Sequence, residues 1–139
     1  MEINGVAHVV LTVSDFAAAR AFYGALLPAL GLRPVLDTDV FYYCVGGRTA
    51  IGLMPADPGL AGERFVQRRV GLHHLCLRAR ERADVDAVHA LVCELGGTVV
   101  HPPEDGPWAP GYYSVLFEDP DGIRLEVNHV PGKGLLAAP

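Results

Sequence analysis

Apolar residues fall into the same order twice along the chain. Residues 8–15 read HVVLTVSD and residues 74–81 read HLCLRARE. In both, a His opens an alternating run, a charged or capping residue closes it, and a helical pattern follows. The two histidines stand 66 positions apart, close to half the chain. The natural parse is two copies of one unit of roughly 55–60 residues.

In the first unit the alternation predicts a strand over Ile3–Val13, with Val9, Leu11 and Val13 on one face and His8, Val10 and Thr12 on the other. Ser14 or Asp15 is placed to cap a helix. The helix is expected over Phe16–Leu30, with an apolar stripe of Ala18, Phe22, Ala25, Leu26 and Leu30. Gly31 stops it. Strands are expected near Arg33–Leu36, Phe41–Val45 and Thr49–Met54, with Gly46-Gly47 as the hairpin turn.

The second unit repeats the order. Leu72–Arg78 reads as a strand and residues 82–95 as a helix with Val85, Val88, Val92 and Leu95 inward. Thr98–His101 is a short strand, followed by a Pro-rich loop over residues 102–111. Tyr112–Glu118 and Ile123–Val130 are strands joined by the turn Asp119-Pro120-Asp121-Gly122. The fold class is therefore α+β, built from two βαβββ modules. The parse is module 1 over 1–55, a linker over 56–70, module 2 over 71–130 and a C-terminal tail over 131–139, all within one domain. Neither module is large enough to bury its sheet alone.

Half of the 139 residues are hydrophobic, which supports a packed core and excludes a disordered chain. The formal charge of −5, with Lys133 as the single lysine, argues against a nucleic-acid partner. The most apolar stretch, Ala21–Leu32, is broken by Gly24, Pro28 and Gly31, so no membrane span is expected. The opening MEINGVAH has no basic region and no apolar signal core, so no export signal is expected. Cys44, Cys76 and Cys93 form no CxxC pair. These features together predict reduced thiols and a cytoplasmic location.

Strand alternation also predicts a site. Ile123, Leu125 and Val127 must pack on the helix, which turns Arg124, Glu126 and Asn128 to the other face. The same parity turns His8 and His74 away from their helices. Three strands thereby present His8, His74 and Glu126 to one concave surface. Two neutral imidazoles and one carboxylate leave positions open on a divalent ion, whether iron, manganese, zinc or nickel. A lone His on a strand is more often structural than a ligand; the matched positions of His8 and His74 strengthen the joint reading.

The segments AHVVLTVSD (7–15), FYGALLPALGL (22–32), GLHHLCLRA (71–79) and DPDGIRLEVNHVP (119–131) together resemble the vicinal oxygen chelate superfamily. That superfamily includes glyoxalase I, fosfomycin-resistance proteins, extradiol dioxygenases and bleomycin-resistance proteins. The resemblance implies modules pairing into an incomplete barrel around one divalent metal. His8, His74 and Glu126 match its ligand positions. It also implies a small-molecule substrate and a homodimer, with modules paired within one chain or exchanged between two.

Departures from the pattern narrow the chemistry. Glyoxalase I uses a further carboxylate from the last strand of the first module, where Ala50 and Gly52 face the cavity here. Extradiol dioxygenases carry a Tyr ten residues before the ligand Glu, where this chain has Leu116. The loop PPEDGPWAPG lacks the Lys of fosfomycin transferases. Bleomycin-binding members usually lack the ligands. The expectation is a metal-dependent enzyme, dioxygenase-like or lyase-like, on a small molecule that chelates the metal through neighbouring oxygens, with no acid or base assigned. The alternative is a non-catalytic, antibiotic-like binding or resistance protein of the same fold. A third reading makes the tail PGKGLLAAP a docking segment for a partner.

Tyr43, Trp108 and Tyr113 are candidate pocket walls, and Arg48 and Arg124 candidate clamps for an anionic substrate. Packing and ordinary ion pairing are the competing roles for each. His73 and His129 share the parity of packed residues, and Cys76 is expected to line the cavity as a packing thiol.

Overall fold

The computed structural model describes residues 1–134. It divides into two compact units, Met1–Arg64 and Phe65–Pro139. The last five residues of the predicted tail, 135–139, lie outside the described residues.

The first unit runs β1 (Val9–Val13), α1 (Phe16–Ala29), β2 (Arg33–Asp37), β3 (Tyr42–Gly46), β4 (Thr49–Pro55). Its sheet has the order β1-β4-β3-β2. β1 and β4 are parallel and the other pairs antiparallel. The second unit runs β5 (Leu75–Arg78), α2 (Arg82–Glu94), β6 (Thr98–Asp105), β7 (Tyr113–Glu118), β8 (Arg124–His129), in the order β5-β8-β7-β6. Each unit is thus βαβββ, with a four-stranded mixed sheet, as the sequence predicts. Among the described residues no helix is long and apolar enough to cross a membrane.

The ends of the elements show where local rules were refined by packing. Asp15 caps α1, its carboxylate accepting from the Ala18 N–H at 2.9 Å. The face of α1 that is buried carries Ala19, Phe22, Tyr23, Leu26 and Leu27. The expected stripe is therefore rotated by about one residue: Ala18 and Ala25 are exposed, because the bulkier Tyr23 and Leu27 take the core positions. On α2 the expected Val85, Val88 and Val92 are buried.

β1 begins at Val9 rather than Ile3, and β5 at Leu75 rather than Leu72. His8 and His74 consequently stand one residue ahead of their strands. Gly46 pairs with Thr49, so the β3–β4 turn is Gly47-Arg48, with φ of +57° and +66°. Two successive positive φ values match the type I′ hairpin turn. Gly46 is needed for another reason: a Cβ there would lie 2.7 Å from the Gly31 carbonyl oxygen.

β6 is longer than expected, continuing through Pro102 and Pro103 to Asp105. It forms the edge of its sheet and carries two register shifts against β7. An edge position with bulges tolerates residues that lack an N–H donor. The β7–β8 turn is held by Asp119, nearly fully buried, whose Oδ1 accepts from the N–H groups of Asp121 (2.9 Å) and Ile123 (2.8 Å).

Candidate functional site

The parallel pairing of β5 with β8 sets Cys76 opposite Glu126. Leu125 and Val127 are buried beneath α2, so alternation turns Glu126 to the opposite face. There Glu126 Oε2 lies 3.1 Å from His74 Nε2. Its other oxygen, Oε1, accepts from the Tyr112 hydroxyl at 2.5 Å. On the far side of His74, Nδ1 lies 2.8 Å from Nδ1 of His73. The four side chains form a continuous polar chain, His73–His74–Glu126–Tyr112.

The neighbouring groups are held in their neutral forms. Lost hydration and the Glu126 carboxylate push the Tyr112 hydroxyl pKa up, so it remains a donor. Lost hydration, then the charge of Glu126, pushes the Cys76 thiol up to about 12. The sequence reading expects a packing thiol at Cys76, whereas the residue is exposed.

In the first unit, Val10 pairs with Gly52 and Gly52 with Tyr43. A Cβ on Gly52 would come within 2.9 Å of Tyr43 Cδ2 and 3.3 Å of Val10 Cγ2. The Tyr43 ring therefore fills the space a side chain at 52 would need. It stacks on Phe41, with centroids 5.6 Å apart, and meets the His8 ring edge-on at 6.4 Å. His8 is exposed at the start of this aromatic shelf.

The remaining candidates separate. Arg124 Nε donates to Glu118 Oε1 at 3.0 Å, and the Gln67 amide oxygen, turned toward the guanidinium, accepts from Nη2 at 3.0 Å. Arg48 is exposed in the hairpin turn, and Trp108 is 71% exposed. Tyr113 is a correction to the sequence reading. Its parity is that of Val115 and Phe117, its hydroxyl donates to Asp86 on α2 at 2.7 Å, and the Arg82 guanidinium covers its ring at 3.5 Å. It packs on the helix side of the sheet and is no wall of the concave face. Tyr112, one residue earlier, takes the opposite face.

The structure thus brings together His74 and Glu126 of the predicted ligand set. Among the described residues, no group of three or more His, Cys, Asp or Glu side chains is gathered to hold a metal ion.

Residues 5–127 match the sequence profile of the glyoxalase/bleomycin resistance protein/dioxygenase superfamily. The chain belongs to that superfamily. The uncharacterized protein YqjT of Bacillus subtilis (strain 168) is 30% identical over 124 residues, which cover 86% of this chain and 94% of YqjT. Among solved structures, a glyoxalase/bleomycin resistance protein from Albidiferax ferrireducens T118 is similar with a TM-score of 0.74 and 26% identity, covering 90% of this chain and 98% of that one. A lactoylglutathione lyase from Agrobacterium tumefaciens is similar with a TM-score of 0.65 and 26% identity, over 93% and 96% of the respective chains. The resemblance stated from the sequence motifs is the relationship these matches show.

Within this glyoxalase-superfamily chain, sequence reasoning placed His73 on the packed side, whereas its ring meets His74. The sequence reading ran the strand from Leu72 and so imposed strand parity on both histidines. Adjacent His residues just ahead of a strand need not follow strand parity, because the strand begins only at Leu75. His129 is half-buried, and its buried Nδ1 has no hydrogen-bond partner.

Proposed function

We propose that this glyoxalase-superfamily protein is a divalent-metal-dependent enzyme, dioxygenase-like or lyase-like. Its substrate is a small molecule that chelates the metal through neighbouring oxygens. His8, His74 and Glu126 are the proposed ligands, with the metal drawn from iron, manganese, zinc and nickel.

The observation that carries the reading is the 3.1 Å separation of His74 Nε2 and Glu126 Oε2. Two ligand atoms each about 2.0–2.2 Å from one ion, at right angles, lie about 3 Å apart. The imidazole nitrogen and carboxylate oxygen therefore fit as adjacent ligands. His8 is proposed as the third because it precedes β1 as His74 precedes β5. When bound, the metal supplies Lewis-acid polarisation or dioxygen activation. Of the chain's own groups, the stacked Phe41 and Tyr43 beside His8 offer a flat apolar wall for the substrate. Arg124, engaged with Glu118 and Gln67, buttresses the sheet face rather than standing ready for an anion.

This reading takes the two units as halves of one domain with 56–70 as linker. It also carries a homodimer, as is common in the family, and a cytoplasmic location in keeping with free thiols at Cys44, Cys76 and Cys93. Sedimentation of the untagged chain tests the dimer.

A second reading, a non-catalytic binding or resistance protein, is favoured by one feature. Gly52 and Tyr43 leave the first-unit face with an aromatic shelf in place of a carboxylate.

Elemental analysis separates the two. Untagged protein purified without chelator is expected to hold about one equivalent of a transition metal, and His74→Ala little. Iron with dioxygen uptake supports the dioxygenase arm; zinc or nickel with none supports the lyase arm. No metal in the wild type, even after reconstitution with Fe(II), Mn(II) and Zn(II), overturns the enzyme reading in favour of the binding protein.

A further inference from the structure

Both proposed ligands of the second unit are held from behind. Glu126 Oε1 is occupied by the Tyr112 hydroxyl, so Oε2 is the oxygen left facing His74. His74 Nδ1 is engaged by His73 Nδ1, so Nε2 is the nitrogen left facing Glu126. We infer that Tyr112 and His73 are positioning residues that orient Glu126 and His74 as a paired Oε2–Nε2 edge for a divalent cation. This inference rests on the metal reading proposed above.

Hydrogen-bond chemistry allows the chain two directions. Without a cation, His73 Nδ1–H donates to His74 Nδ1, and His74 Nε2–H donates to Glu126. Were a cation held on Nε2, His74 would carry its proton on Nδ1 and donate it to His73 Nδ1, with the His73 proton on Nε2. Each neutral ring keeps one proton in both arrangements, so no charge is left behind. A metal-bound His typically donates its other N–H to an acceptor, which fixes ring orientation and tautomer. His73 Nδ1, 2.8 Å away, would supply that acceptor. Tyr112 does the matching work on the carboxylate: with Oε1 engaged, Glu126 offers a single oxygen.

Tyr112 is itself held in place. Its N–H donates to the Ala109 carbonyl and its carbonyl accepts from Gly106, both at 3.0 Å. A Cβ on Gly106 would lie 2.9 Å from Tyr112 Cδ1, so the 106–112 loop closes directly against the ring. The hydroxyl is thereby directed at Glu126 by the loop backbone.

The test uses the full chain, stripped of metal, titrated with Co(II) alone and followed by visible absorption. His74→Ala is expected to lose Co(II) binding. Tyr112→Phe and His73→Leu are each expected to weaken it by roughly 10–100-fold. Tyr112→Phe should also change the Co(II) band, because both Glu126 oxygens become available. His73→Asn, whose amide oxygen accepts near the former Nδ1, should restore most of the affinity lost in His73→Leu. Melting of the metal-free variants checks that each is folded, and a simple packing role would not move the Co(II) spectrum. If Tyr112→Phe and His73→Leu bind Co(II) as the wild type does while His74→Ala does not, the positioning inference is overturned and the metal reading stands. If the wild type binds no Co(II), or His74→Ala binds equally well, both are overturned.

Discussion

Gly52 holds, in the sheet of the first unit, the register position that Glu126 holds in the second. Val10 pairs with Gly52 and Cys76 with Glu126, each two residues after the leading His. On the other side, Tyr43 pairs with Gly52 as Leu116 pairs with Glu126. One copy of the unit keeps a carboxylate at this position. The other has glycine there, and the Tyr43 ring fills the space a side chain would need.

The close approach predicts strong coupling between Gly52 and Tyr43. Gly52→Ala should destabilise the protein by about 1–3 kcal/mol, because its Cβ is driven against the Tyr43 ring and the Val10 side chain. Combined with Tyr43→Ala, the added methyl should cost far less. A double-mutant cycle by urea denaturation measures the coupling. Additive costs would mean that the ring moves aside freely.

Asp119 should matter more than its place in a turn suggests. It satisfies two backbone N–H groups from a nearly fully buried position. Asp119→Ala should cost about 1–3 kcal/mol, and Asp119→Asn, which keeps an acceptor oxygen, clearly less. Equal losses in the two variants would shift the explanation from hydrogen bonding to charge.

Cys76 is exposed, so its protonated state rather than burial should slow alkylation in the folded protein. Its thiol is pushed from 9.0 to about 12, and the thiolate is the nucleophile. At pH 9, iodoacetamide should label Cys76 much faster in unfolded than in native protein, as read by peptide mass spectrometry. The linkage has a definite sign. The unfolded thiol ionises first, so the stabilisation it lends is fully present below pH 9 and is lost as pH rises toward 12. Equal labelling of folded and unfolded chains would contradict the shift.

Much of this was legible in the sequence because alternation and turn chemistry are local. The faces of β8 followed from Ile123, Leu125 and Val127, and the second helix from the spacing of Val85, Val88 and Val92. The departures arose where packing or chain direction outweighed a local cue. In α1 two overlapping apolar stripes exist, and the volume of Tyr23 and Leu27 selects between them. Gly46-Gly47 reads as a turn, but strand pairing moves the turn one residue on and places Arg48 at positive φ. The Tyr112-Tyr113 pair offers two similar rings on opposite faces; the β8 register pairs Glu126 with Leu116, and it is the Tyr112 hydroxyl, from just before β7, that reaches Glu126. The link between His73 and His74 needed coordinates, since neither residue lies within the strand that follows.

The prolines of β6 carry one more consequence. Pro102 and Pro103 stand side by side in the edge strand of their sheet, within the second of its register shifts. Neither has a hydrogen to offer an incoming strand, and the bends spoil the spacing of the donors around them. A foreign β-segment trying to add itself there meets an interrupted template, so this border is guarded against runaway strand-by-strand growth by the same residues that made it look like a loop.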